Sequence, residues 1–276
     1  SDVYKRQDLK CWGWDSNGQL GNGATTGNVL TPPSTVIDLG TGRTAVAVSS
    51  GTYHTCAVLD NGDVKCWGRD DHGQLGNGGT NTDTNAPSST AIDLGTGRTA
   101  VAVHAGFSHT CAILDNGDMK CWGRDNYGQL GNGAILTDTD APSSTPIDLG
   151  TGRTAVAASV GQHHTCAILD NGDMKCWGHN NQGQLGNGGV GSVTAVVSPP
   201  STPIDLGTGR TAVALSAGDS HTCAILDNGD LKCWGYDSNG QLGDGGSNTN
   251  ANAPSSTAID LGTGRTAVAI TGGLSH

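Results

Sequence analysis

Apolar and polar positions along the chain alternate in short bursts rather than in helical stretches. In residues 90–142, apolar residues gather in four runs, at 91–94, 99–104, 110–114 and 118–123, separated by Gly95-Thr96-Gly97, Gly106 and Asp115-Asn116-Gly117. Runs this short, bounded by turn residues, predict β-strands. In 99–104 the apolar residues occupy successive positions, which predicts a strand buried on both faces. Asp115-Asn116-Gly117 predicts a tight hairpin with Gly117 at positive φ. Leu114 then faces Asp118, and counting outward Cys111 faces Cys121. The same count pairs Cys56 with Cys66, Cys166 with Cys176 and Cys223 with Cys233.

The pattern repeats. Cys11, Cys66, Cys121, Cys176 and Cys233 each stand in K-C-W-G, at spacings of 55, 55, 55 and 57. His54, His109, His164, His221 and His276, and the arginines of T-G-R-T-A-V-A, keep the same frame. A two-residue insertion falls in G-V-G-S-V-T-A-V-V-S-P-P and lengthens one loop. Four strands in a unit of about 55 residues predict an all-β architecture, a β-propeller of four-stranded blades. Five blade-equivalents are present, and the expectation is a fragment of a larger, seven-bladed ring. Residues 1–7 fit no part of the repeat and read as a foreign segment, leaving 8–276 as one propeller domain and Cys11 without its partner.

Composition supports this reading. The chain has 276 residues with 45 Gly and a single Phe, and all 25 acidic residues are Asp. Long helical faces need the straight-chain residues that are scarce here. The net charge of −11 disfavours nucleic acid, whose phosphates call for clustered cations. No apolar run is long enough to span a bilayer, and no signal peptide is visible.

Residues 106–133, G-F-S-H-T-C-A-I-L-D-N-G-D-M-K-C-W-G-R-D-N-Y-G-Q-L-G-N-G, resemble the regulator of chromosome condensation repeat, with its G-x-x-H-T core, hairpin, W-G pair and G-Q-L-G. The match recurs over 8–276. The resemblance implies a propeller serving as a protein-interaction platform, in members whose tasks range from nucleotide exchange on a small GTPase to light sensing. The paired cysteines resemble the variant of exported bacterial relatives. Four hairpin disulfides would offset the small supply of large apolar side chains and imply an oxidising compartment, extracellular or at the cell surface. Eight reduced thiols in a cytosolic propeller are the alternative.

Chemistry that recurs in every unit argues for structure, because an active site needs one unique constellation. His109, Cys111 and Cys121 form an apparent Cys2His set without a fourth ligand, so no metal site is expected. D-N-G-D lacks the length and terminal Glu of a calcium loop, and the acidic or Asn-rich stretches around 80–85, 138–140 and 247–252 read as turns. The glycines of G-Q-L-G-N-G do not follow a phosphate-binding spacing. No cofactor is expected. The repeated His and Trp are expected as core and inter-blade anchors.

Variable positions carry the functional expectation. After C-W-G come Trp14, Arg69, Arg124, His179 and Tyr236, and three residues later Asn17, His72, Tyr127, Gln182 and Asn239. Repetition places both sets on one rim, and Trp, Tyr and Arg are favoured at binding hot spots. A second variable set, Tyr53, Ser108, His163 and Ser220, precedes H-T and lines the same face or its opposite. The reading is a non-catalytic platform of an exported or cell-surface bacterial protein, engaging a protein or a glycan through Trp14, Arg69, Arg124, His179, Tyr236, His72 and Tyr127. The alternative is an enzyme, a hydrolase or lyase, using the propeller channel. The non-repeated histidines, His72, His104, His163 and His179, lie at different phases of the repeat and are not expected to meet.

Overall fold

A computed structural model describes residues 8–25, 27–79, 82–189, 195–246, 249–273 and 276. Residues 1–7, and 190–194 within the insertion, lie outside the described residues, as do parts of the 80–85 and 247–252 loops. The chain divides into two compact units, one built mainly from residues up to Asn116, with Lys120–Arg124 and Asp138–Thr145, the other mainly from Pro146 onward, with Asp125–Thr137.

The first unit holds two antiparallel sheets. One is β1 (Ala45–Ser50), β2 (His54–Leu59) and β3 (Val64–Gly68), and the other β4 (Ala100–Ala105), β5 (His109–Leu114) and β6 (Met119–Gly123). The second unit holds β7 (Ala155–Val160), β8 (His164–Leu169), β9 (Met174–His179) and the two-residue β10 (Ala195–Val196) in the order β10-β9-β8-β7, and then β11 (Ala212–Ala217), β12 (His221–Leu226) and β13 (Leu231–Gly235).

The hairpin register is the expected one. Cys56 faces Cys66, Cys166 faces Cys176 and Cys223 faces Cys233. Gly62, the equivalent of Gly117, has φ +80° and closes its turn by donating to the Leu59 carbonyl at 2.8 Å. Four disulfides, Cys56–Cys66, Cys111–Cys121, Cys166–Cys176 and Cys223–Cys233, span these pairs with Cα atoms 4.0–4.1 Å apart. Cys11 is free and half-buried, and burial, with Asp15 nearby, pushes its thiol pKa up.

Two strand expectations need correction. Residues 91–94 form no strand: Ile92 and Leu94 are buried, but a single backbone bond, Ile92 N to Val64 O at 3.0 Å, ties the segment to β3. The fourth strand position is instead taken by the chain after G-Q-L-G, as the single bridges Gly68 to Thr84, Gly123 to Thr139 and Gly235 to Ala251, or as β10. Nor is the A-V-A strand buried on both faces. Each register shifts after its first alanine, so that Val46, Val101, Val156 and Val213 are the extra residues of β-bulges and stand 59–63% exposed.

The central strands β2, β5, β8 and β12 are buried throughout. Alternation sends their side chains to opposite faces. In the first unit, Ala57, Leu59 and Trp67 pack with Ile37 and Leu39, whereas Cys56, Val58, Val64 and Cys66 pack against Ala100, Val103, Ala112 and Trp122 of the next sheet. In this sheet the disulfide thus faces one side and Trp67 the other.

Repeated polar groups stitch these layers. Trp67, Trp122, Trp177 and Trp234 are fully buried, and each indole Nε1–H donates to a main-chain carbonyl of the preceding G-Q-L-G: Gln19, Gln74, Gln129 and Gln184, at 3.0–3.1 Å. Lys65, Lys120, Lys175 and Lys232 donate to the carbonyls of Leu39, Leu94, Leu149 and Leu206. Arg43, Arg98, Arg153 and Arg210 pair with the first Asp of the D-N-G-D turns at 3.1–3.3 Å. Both ends of that turn are therefore used structurally, since Asp63 and Asn61 also bond each other.

Candidate functional site: non-repeated aromatic and basic residues at paired loop positions

The loop between C-W-G and G-Q-L-G is set by a residue not singled out in the sequence reading. Asp15, Asp70, Asp125, Asn180 and Asp237 accept from the backbone N–H of Leu20, Leu75, Leu130, Leu185 and Leu242 at 2.9–3.1 Å. The signal was present, because every unit has Asp or Asn four residues after its C-W-G cysteine. Burial pushes the Asp70 carboxyl up to about 6, against the bonds from Leu75 and Asn77, with Asp83 and Asp140 adding to the rise. The Gln of G-Q-L-G bonds back to the main chain at Asn17, His72, Tyr127, Gln182 and Asn239. These two contacts fix where the variable side chains leave the loop.

The two variable sets lie side by side. The backbone N–H groups of Arg69, Arg124, His179 and Tyr236 donate to the carbonyls of Tyr53, Ser108, His163 and Ser220 at 2.8–2.9 Å. In the first unit the ring of Tyr53 stands 5.5 Å from Trp14 and 5.3 Å from Phe107, both edge-on, with the Arg69 guanidinium 5.0 Å from the Tyr53 centroid. Arg69 also pairs with Asp71 at 2.6 Å. Trp14 is 48% exposed, so the aromatic ladder opens to solvent. His72 is turned aside: its Nδ1 lies 2.7 Å from Asp138, as Asn17 bonds Asp83 at 3.0 Å.

In the second unit Tyr127 lies 4.1 Å from His179 and 5.1 Å from His163, and the two imidazole centroids are 6.0 Å apart. The expectation that the non-repeated histidines stay apart is thus corrected for this pair, since one hairpin places positions 163 and 179 opposite each other. Burial lowers the pKa of His179. Tyr236 and Arg124 occupy the equivalent loop positions and are half-buried.

Subtracting the repeat isolates this set. Among the described residues, all Tyr and Phe, and the one Trp outside C-W-G, sit at these paired positions, within the loop or next to them: Trp14, Tyr53, Phe107, Tyr127 and Tyr236. The only described cations outside the two repeated positions are Arg69 and Arg124. Phe107 is the member that sequence reasoning missed, for it lies one residue before the second variable set.

Cys111 and Cys121 are bonded to each other, so neither supplies a thiolate to a metal. Among the described residues, no three His, Cys, Asp or Glu side chains gather as a metal set. No helix among them is long and apolar enough to cross a membrane.

The model of the RCC1-like domain matches residues 3–276. Over 248 residues the chain is 31% identical to the ultraviolet-B receptor UVR8 of Arabidopsis thaliana, covering 88% of this chain and 52% of that protein, so it spans about half of that relative's length. Human WBSCR16 has a similar fold, with a TM-score of 0.81 at 21% identity, over 98% of this chain and 66% of that one. Yeast RCC1 (Prp20), in its complex with Kap60, superposes with a TM-score of 0.60 at 19% identity, over 98% and 76% of the two chains.

Proposed function

Because the chain belongs to the RCC1-like domain family, whose fold is an all-β propeller, we propose that it is a non-catalytic platform that captures a protein partner through the rim loops bearing Trp14, Arg69, Arg124, Tyr127, His179 and Tyr236. The observation that carries this reading is the segregation just described: aromatic and basic side chains not required by the repeat collect at one pair of loop positions. Trp, Tyr and Arg are the residue types that dominate binding energy. The RCC1 of the yeast complex binds a protein, Kap60.

The four disulfides favour an oxidising compartment, and we assign the chain to an exported or cell-surface bacterial protein in which five blade-equivalents belong to a larger ring. With a net charge of −11, the partner is not nucleic acid. Replacing Trp14, Arg69, Arg124 and Tyr236 together with Ala is expected to abolish partner capture in crosslinking pull-downs while leaving the four disulfides and the unfolding midpoint in place. Unchanged capture by a folded variant would sink the reading.

A further inference from the structure

In the first unit Tyr53 stands between two rings, Trp14 at 5.5 Å and Phe107 at 5.3 Å, both edge-on, so wedge-shaped gaps separate successive rings. Trp14 is exposed and Tyr53 half-buried. Beside them a cleft of about 370 Å³ is lined by Trp12, Trp14, Gln19, Thr52 and Thr55. Clefts that hold ligands span roughly 300–1,000 Å³. The polar groups over the rings are donors. Among the described residues, neither the Trp14 indole N–H nor the Tyr53 hydroxyl has a hydrogen-bond partner. The Arg69 guanidinium, 5.0 Å from the Tyr53 centroid, brings further N–H groups, and the carboxylate of Asp71 is already taken by Arg69 at 2.6 Å.

With protein capture as the premise, we infer that the Trp14, Tyr53 and Phe107 ladder docks a proline-rich segment of the partner in the polyproline II conformation, Trp14 and Tyr53 donating to its carbonyls. The complementarity is one of charge. An ordinary extended strand brings an N–H for every C=O, and a donor surface would leave those N–H groups buried and unsatisfied. A run of prolines carries carbonyls and no N–H, and its polyproline II helix makes no internal hydrogen bonds, so every carbonyl is available. Its apolar pyrrolidine rings suit aromatic-lined grooves, and its stiffness means that little freedom is lost on docking. The Arg69–Asp71 pair cancels locally, so the ladder selects an uncharged segment. Sugar hydroxyls donate as well as accept, and the carboxylate beside the ladder that would receive them is committed to Arg69.

The test is titration of the full chain with acetylated, amidated decaproline, read by calorimetry and tryptophan fluorescence. Saturable binding with a change in emission is expected, while a decapeptide of alternating Gly and Ser should not bind. Trp14→Ala should weaken binding at least tenfold. Tyr53→Phe, which keeps the ring and removes the hydroxyl donor, should weaken it about three- to tenfold. Val213→Ala, on a bulge of the other unit, should leave it unchanged. Absence of decaproline binding, equal binding of the Gly-Ser peptide, or affinity undiminished in folded Trp14→Ala and Tyr53→Phe would overturn the assignment. Binding of cellohexaose or chitohexaose in place of decaproline would overturn it too and mark a glycan site. Silence toward decaproline, alongside loss of partner capture in the variant lacking Trp14, Arg69, Arg124 and Tyr236, would refute the polyproline assignment alone and leave protein capture standing.

Discussion

Acidification should loosen the blade junctions through buried histidines. His54 Nε2 lies 2.8 Å from Thr110 Oγ1, and Thr110 commits its own proton to the Gln74 carbonyl at 2.8 Å. Nε2 must therefore be the donor, which leaves Nδ1 as a bare, buried nitrogen with no hydrogen-bond partner among the described residues. A second proton would have to enter there. Burial accordingly lowers the His54 pKa to about 4. His164 repeats the arrangement with Thr222 and Gln184, and burial, together with His221, His163 and His179, lowers it to about 3.

A histidine depressed in the folded state binds protons more readily when unfolded, so its contribution to stability is complete above the unfolded value of about 6.5 and falls as pH drops toward the folded one. For His54 the gap from about 6.5 to about 4 corresponds to about 3 kcal/mol, and for His164 the wider gap to about 5 kcal/mol. Asp70 works in the opposite sense, because its raised carboxyl favours the folded state as pH falls. Comparison with a variant removes that background. His54→Gln keeps an N–H donor for Thr110 but does not titrate. Urea unfolding should show the wild type ahead of His54→Gln at about pH 7.5, with the margin shrinking by about 3 kcal/mol by about pH 4. A margin that stays constant over that range would refute the assignment of a neutral, buried His54.

Three further variants and one mass measurement probe the scaffold. A Cβ at Gly76, where φ is +69°, would stand 2.4 Å from Trp122 Nε1, whereas one at Gly78, φ +65°, would meet nothing within 4 Å. Gly76→Ala should therefore lower stability by about 3 kcal/mol or more, from strain and overpacking together, and Gly78→Ala by about 1 kcal/mol, from strain alone; equal losses in thermal unfolding would show that the Trp anchor is not tight. Alkylation of the unreduced chain should modify one thiol, Cys11, as read by intact mass. Removing the Cys166–Cys176 bridge by double Ser substitution should cost roughly 2–3 kcal/mol on the chain-entropy model, measured by the same unfolding assay.

What could be read from the sequence divides along the line between local and non-local chemistry. Asp-Asn-Gly needs only its own backbone to turn, so the hairpin, its register and the disulfides followed by counting. The bulges did not, because T-A-V-A-V offers apolar residues at every position. Only the partner strand, pairing Ala45 with Leu59 and Ala47 with Val58, shows that Val46 is skipped. The segment 91–94 failed for a related reason: Ile92 and Leu94 are buried as a strand would be, yet they are tied by one backbone bond, Ile92 to Val64, and by the Lys120 side chain on the Leu94 carbonyl rather than by a ladder. Apolar pattern reports burial, not pairing.

The paired loop positions were half legible, and the missing half could have been derived. A hairpin that opposes Cys111 to Cys121 keeps a constant sum of residue numbers across its ladder, and 108 with 124 has that same sum. Extending the count three residues past the cysteines pairs Tyr53 with Arg69, His163 with His179 and Ser220 with Tyr236, as the backbone bonds then show. Both variable sets had to share one face. What no count within a single hairpin supplies is the third side chain over two of these pairs, Trp14 on Tyr53 and Tyr127 on His163 and His179, since that residue comes from the preceding repeat. The side-chain environment at these loop positions is therefore a property of two consecutive repeats, and exchange of a whole repeat would alter two such clusters where a point substitution alters one.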